Sequence, residues 1–134
     1  MNDLIEAVKA NDVEKVKQLI KAGADINDVG DYDENRLING FTPLQWAVWK
    51  GHIEIVKLLI QAGADINSQS TDDIDGHTAL HCASDLPIVK LLIQAGADVS
   101  IKDLHGETAL QWASFQGRTK IVEFLIKHKS KLTN

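Results

Sequence analysis

Several things are scarce in this 134-residue chain: it has one cysteine, two prolines and one tyrosine, and aromatics make up 5% of it. Each scarcity excludes something. A single cysteine, Cys82, cannot form an intrachain disulfide, so no disulfide framework holds the fold. Apolar runs reach about four residues, against the roughly 20 that span a bilayer. Basic residues are in deficit, 14 against 19 acidic ones, for a net charge of -5. That balance lacks the basic surface with which a general nucleic-acid binder displaces counterions. The opening Met1-Asn2-Asp3-Leu4-Ile5-Glu6 has acids where a signal peptide needs a basic stretch and an apolar core. What is present is ordinary for a globular fold: 44% hydrophobic and 25% charged residues, in a length that fits one domain. The expectation is one soluble, reduced, cytoplasmic domain over residues 1–134 that binds neither nucleic acid nor membrane.

The chain repeats itself. Gly-Ala-Asp followed by a β-branched residue begins at Gly23, Gly63 and Gly96, at spacings of 40 and 33 residues. Before each lies an apolar stretch of helical period, Val16-Lys17-Gln18-Leu19-Ile20, Val56-Lys57-Leu58-Leu59-Ile60 and Val89-Lys90-Leu91-Leu92-Ile93. A fourth copy, Val122-Glu123-Phe124-Leu125-Ile126, lacks the glycine. A second signature recurs in register with the first: Gly40-Phe41-Thr42-Pro43-Leu44-Gln45-Trp46-Ala47, Gly76-His77-Thr78-Ala79-Leu80-His81-Cys82-Ala83 and Gly106-Glu107-Thr108-Ala109-Leu110-Gln111-Trp112-Ala113. Thr42, Thr78 and Thr108 read as N-caps, and Pro43 suits the first helical position. The Leu and Ala three apart in each copy share one helical face. Gly51 and Gly117 divide this helix from a second, and Asn11 stands at their place in the first copy because asparagine best tolerates a left-handed backbone. Gly23, Gly63 and Gly96 read as left-handed caps ending the second helix.

Two linked signatures in this order resemble the ankyrin repeat family over nearly the whole length. The residues that carry the likeness are Thr42-Pro43-Leu44-Gln45, Thr78-Ala79-Leu80-His81, the stretch from Gly51 to Leu59 and the Gly-Ala-Asp caps. The resemblance implies an all-α solenoid of helix–turn–helix–hairpin units, L-shaped and slightly curved. Four repeats are expected, at about 1–27, 37–67, 73–100 and 103–134. No repeat buries its apolar face alone, so stacking makes one core, and terminal repeats need polar outer faces. Lysines and acids in residues 4–21, and Arg118, Lys120, Lys127, Lys129 and Lys131 near the other end, read as two such solvated caps.

Three departures from the repeat pattern stand out. The segment between Asn27 and Gly40 carries about seven extra residues relative to the one between Ser100 and Gly106, and that between Asn67 and Gly76 about three. The third repeat runs 11 residues from Thr78 to Val89 where the others need 14, so the end of its first helix is missing and a notch is expected at mid-stack. Ser84 or Asp85 is expected to cap its second helix, with Pro87 in the first turn.

Chemistry finds little footing. Asp31-Tyr32-Asp33-Glu34-Asn35 alternates oxygen ligands as a calcium loop does, but Arg36 and Thr42 stand where such a loop needs glycine and glutamate. His52, His77, His81, His105 and His128 show no zinc spacing. No phosphate loop, dinucleotide fingerprint or nucleophile elbow occurs. The reading is of no enzyme, no metal and no cofactor. The resemblance implies instead that His81 and His52 bond to loop backbone and hold the hairpins, a role in which Gln45 and Gln111 replace histidine.

Binding residues follow from the resemblance too. It places Trp46, Trp49, Trp112, Phe115 and Gln116 on the concave groove lined by first helices. Trp46 and Trp49, like Trp112 and Phe115, stand three apart on one face, an aromatic ledge in each repeat. The alternative is packing between repeats; the leucines and alanines that already fill the core positions of these helices favour the groove. Tryptophan is the residue most enriched among interface hot spots. Tip contacts are expected from Asp31, Tyr32, Asp33, Glu34, Phe41, Ile74, Asp75, His77, Leu104 and His105. Asp28, Asp31, Asp33, Glu34, Asp72, Asp73, Asp75 and Asp103 make an acidic tip row opposed by Arg36 and Lys102, which suits a partner protein with a basic patch. The expected function is a protein-interaction module, monomeric when free, such as an inhibitor or immunity protein. A regulatory or structural subunit, and a substrate of asparagine hydroxylation at Asn27 or Asn67, are the alternatives.

The long acidic insertion generates a first prediction. Shortening residues 29–35 to the length of the 100–106 segment should leave stability nearly unchanged or slightly raised, because closure entropy depends weakly on loop length. Association with a basic partner should slow and lose its salt dependence. Stopped-flow rates at low ionic strength check this, and an unchanged rate there marks the insertion as passive.

Overall fold

A computed structural model of the chain describes residues 3–29, 40–70 and 76–132. Their helices come in four pairs: α1 (Asp3–Lys9) with α2 (Val13–Lys21), α3 (Pro43–Lys50) with α4 (Ile53–Gln61), α5 (Ala79–Cys82) with α6 (Leu86–Gln94), and α7 (Ala109–Phe115) with α8 (Thr119–Leu132). The first members α1, α3, α5 and α7 pack in succession as an inner layer, and α2, α4, α6 and α8 as an outer one. Among the described residues there is no strand, and no helix is long and apolar enough to cross a membrane.

The short inner helices start where a capping box closes them. Thr42, Thr78 and Thr108 accept through Oγ1 from the amides of Gln45, His81 and Gln111. Those side chains in turn accept from the amides of the three threonines, at 2.8, 3.2 and 2.8 Å. Two otherwise orphaned donors are satisfied at each end. Between helices the chain turns through a left-handed residue, Gly51 at φ 76° and Gly117 at φ 72°, with Asn11 at φ 56° in the first pair. The outer helices end the same way at Gly23, Gly63 and Gly96, and the amides of Ala24, Ala64 and Ala97 reach back to Leu19, Leu59 and Leu92, each at 3.0 Å. A Cβ at these three glycines would meet nothing within 4 Å, so backbone conformation, not space, selects glycine there.

Apolar residues at helical spacing then form one continuous core. Leu44, Ala47 and Val48 of α3 meet Ile55, Val56 and Leu59 of α4, and Ile88, Val89 and Leu92 of α6 continue the row, all essentially without solvent contact. The turns after the outer helices are tied as well. Asp25, Asp65 and Asp98 accept from the amides two residues on, at Asn27, Asn67 and Ser100. Asn27 Oδ1 accepts from the Asp65 amide at 2.9 Å and Asn67 Oδ1 from the Asp98 amide at 2.7 Å, so each asparagine joins its repeat to the next.

The third pair is the irregular one. Helix α5 is four residues long, and Ala83 is already extended at ψ 124°. Asp85 stands at the N-cap of α6 without a side-chain cap bond, and Pro87 lies in the first turn. Four residues beyond Ala83 stands that proline, which has no N–H to give its carbonyl. The Arg118 guanidinium, from the turn between α7 and α8, supplies the donor instead, Nη1 to Ala83 O at 3.1 Å.

The asparagine bridge is testable. Asn67→Ala should lower the unfolding free energy by about 1 kcal/mol through loss of the bonds to the Asp98 amide and the Gly96 carbonyl. Urea denaturation reads this as a lower midpoint at constant slope.

Candidate protein-binding face

Phe41, just before the Thr42 cap, and Trp46 and Trp49 on α3 form one edge-to-face cluster, with ring centroids 5.5, 5.6 and 6.3 Å apart. Such pairs add to the area that they bury. Trp46 is only 6% exposed, and Lys9 from α1 lies over its ring, Nζ 4.4 Å from the centroid. The expectation of an open groove position for Trp46 is therefore corrected: the ring fills the space between α1 and α3 and serves as a wall. Phe41 is likewise buried against the two tryptophans rather than at a hairpin tip. Trp49, 44% exposed, is the accessible edge of the cluster, with Lys50 Nζ 5.2 Å from its ring. At the corresponding place on α7 stands Phe115, 74% exposed, followed by the exposed Gln116 that caps the helix. Trp112 is half-buried, its ring 4.8 Å from that of His77. No counterpart to Trp49 extends α5, because that helix ends at Cys82.

The hairpin region departs from expectation at two further residues, His77 and Asp103. His77 is buried, not a tip: its ring stacks on His81 with planes 1° apart, and its Nε2 lies 3.2 Å from Asp103 Oδ2. That contact has the distance of an ion pair but not the alignment of a hydrogen bond, and among the described residues neither atom has a hydrogen-bond partner. Asp103 is correspondingly withdrawn from the acidic row. Its other oxygen accepts from the amides of His105 and Glu107, each at 2.9 Å, and closes the turn. Burial pushes its pKa up, but those amides and the neighbouring His81 and His77 outweigh it, and the carboxyl sits below the usual value. Leu104 and His105 are exposed on the same turn, and Leu104 lies so close to Gly76 that a Cβ there would meet its side chain at 2.8 Å. Asp31, Tyr32, Asp33, Glu34, Ile74 and Asp75 lie outside the described residues, as does the acidic loop weighed as a calcium site.

Two of the three side chains at the third position after the threonine, Gln45 and His81, hold loop backbone, whereas Gln111, expected in the same role, bonds only to Thr108 among the described residues. Gln45 Nε2 donates to the carbonyls of Ser68 at 2.8 Å and His77 at 3.1 Å. His81 Nε2 meets the Glu107 carbonyl at 2.8 Å, while Nδ1 accepts from the Thr78 amide. A carbonyl only accepts and an amide only donates, so the ring is the neutral Nε2–H form. Burial is the main reason why its pKa is lowered from 6.5, with the nearby His77 adding to the effect. His52 departs from the loop-holding role expected of it: it stands at the N-cap of α4 without a side-chain cap bond, and its buried Nε2 has no partner among the described residues. Lys9 over Trp46 and Arg118 on Ala83 were not legible as site residues, since nothing in their local sequence marks a contact made with another repeat. Among the described residues no group of three or more His, Cys, Asp or Glu is placed to hold a metal ion.

A family model described as ankyrin repeats (3 copies) matches residues 2–70 and again 69–134. A comparison with curated proteins finds no match.

The His81 geometry carries a pH dependence. Above 6.5 the ring is neutral folded or unfolded, and its contribution is complete. As pH falls through 6.5 the unfolded chain takes up a proton that the folded one resists, so stability declines until the lowered folded pKa is reached. His81→Gln, which reproduces the Gln45 arrangement, should keep the cap and shrink the loss. Urea midpoints at pH 7.5 and 5.5 compare the two proteins, and an equal drop in both would trace the effect to another group.

Proposed function

This chain belongs to the ankyrin repeat family, whose repeats are protein–protein interaction modules and typically not enzymes, and on that premise we propose that it binds a partner protein through its inner-helix groove and hairpin tips. The observation that carries this reading is the pair Trp49 and Phe115, large aromatic side chains left open at the same place on α3 and α7. Between them the inner layer is cut short at α5, which leaves Trp49 uncovered on the side of its successor. Trp49 rests on the buried Phe41 and Trp46, so it is held rigid before any partner arrives, and a rigid aromatic loses little entropy on binding. The groove floor carries Lys9 and Lys50 on its tryptophans, whereas the tip segments are acidic by sequence. The partner that fits best has a basic patch opposite the tips and an apolar anchor for Trp49. In this reading the protein is a monomer when free and blocks one partner, in the manner of an inhibitor or immunity protein.

The two tryptophans of α3 separate binding from folding. Trp49→Ala should weaken binding by about 2 kcal/mol or more and lower stability by about 1–2 kcal/mol, the worth of its edge contacts to Phe41 and Trp46. Trp46→Ala should instead cost about 3–5 kcal/mol of stability, as core aromatic truncations do. The partner is captured from source lysate, identified by mass spectrometry and titrated by calorimetry against each variant. Undiminished affinity in the Trp49→Ala protein would sink the groove reading.

A further inference from the structure

Helices α3 and α7 are equivalent residue for residue, but what covers them differs. The stripe of the second repeat that faces its successor is Phe41, Gln45, Val48 and Trp49. Its first three residues are buried, and Gln45 Nε2 is spent on two main-chain carbonyls of the following hairpin segment. In the third repeat His81 Nε2 meets the Glu107 carbonyl in the same way. The matching stripe of the last repeat is Glu107, Gln111, Ser114 and Phe115. Gln111 Oε1 accepts from the Thr108 amide at 2.8 Å, so its carboxamide is pinned as Gln45 is. Its Nε2, however, has no hydrogen-bond partner among the described residues, and Gln111, Ser114 and Phe115 are all exposed. These four residues line an open hollow of about 520 Å³.

We propose that this end of the stack is a second binding surface, which takes an extended main-chain segment of a partner protein. A hairpin or strand end there offers a carbonyl oxygen to Gln111 Nε2 and an apolar side chain to Phe115. The ground for the occupant is continuity with the interfaces inside the molecule: at both interior repeats the same donor, set by the same capping box, meets a backbone carbonyl of a hairpin segment. A helix fits poorly, since its carbonyls are used internally except in the last turn. A nucleic acid fits poorly, since Glu107 on the stripe repels phosphate. A second copy stacked head to tail would bring the helix α1 with its exposed Asp3 and Glu6, not a hairpin. The surface shares Phe115 with the groove but not Trp49, so the two readings can fail separately.

The probe is a synthetic peptide with the sequence of this chain's own residues 100–110, the segment that contains the carbonyl held by His81. Titrated into the ¹⁵N-labelled full chain, it should shift the Gln111 side-chain amide resonances saturably. Gln111→Glu keeps the acceptor that caps the helix and removes the donor, and should weaken the peptide about tenfold, the worth of one buried hydrogen bond. Phe115→Ala should weaken it comparably, and Trp49→Ala should leave it unchanged, with folding of each variant verified from its backbone spectrum. No shift of the Gln111 amide up to millimolar peptide overturns the proposal. So do shifts confined to Trp49 and Leu104, which place the peptide in the groove or on the tips. Sedimentation showing concentration-dependent self-association that Gln111→Glu abolishes would seat a second copy there and overturn the choice of occupant.

Discussion

In the second and third repeats the side chain three residues after the capping threonine does two jobs, and the stack depends on both being done by the same group. One atom closes the start of an inner helix, and another reaches across to the backbone of the next repeat, as in Gln45 to Ser68 and His77 and in His81 to Glu107. Helix nucleation and repeat stacking are thereby linked. A four-residue helix such as α5 would not persist alone, because nucleation is unfavourable and one turn returns few bonds. It persists here because its third residue is anchored on both sides.

The same economy governs the outer edge. Each Gly-Ala-Asp turn is closed by its own aspartate, and asparagine adds the bond to the neighbour. In the third turn Ser100 stands at the asparagine's place and bonds back to Asp98, which is exposed and held below its usual pKa by that hydroxyl and amide. Contacts between repeats therefore thin out on this edge toward the last pair, where the core and Arg118 carry more of the connection.

The family, the all-α class, the capping threonines, the left-handed Asn11 and the shortened third repeat were legible in the sequence because each depends on a local rule: a hydroxyl before a helix, a backbone angle few residues tolerate, a spacing three residues short. The exposure of individual aromatics was not. Trp46 and Trp49 stand on one helical face at a spacing that either face could use, and what buries Trp46 is Lys9 and Phe41, which arrive from another repeat and from the preceding segment. His77 and Asp103 misled for the same reason: each has a polar side chain in a loop, and only the approach of two loops turns them inward. Position in the repeat identifies a surface; burial at that position is decided by neighbours that the local sequence does not name.

The bond from Arg118 to the Ala83 carbonyl bears on how the molecule comes apart. In a linear array, each repeat's intrinsic stability and its coupling to its neighbours add approximately independently, and weakly coupled ends fray first. Here the repeat with the shortest helix completes its backbone pairing only through a side chain of the repeat after it. When the last repeat opens, the end of α5 loses its donor in the same event. The bond thereby couples the end of α5 to the fourth repeat, and amide exchange there is expected to rise when the last repeat opens.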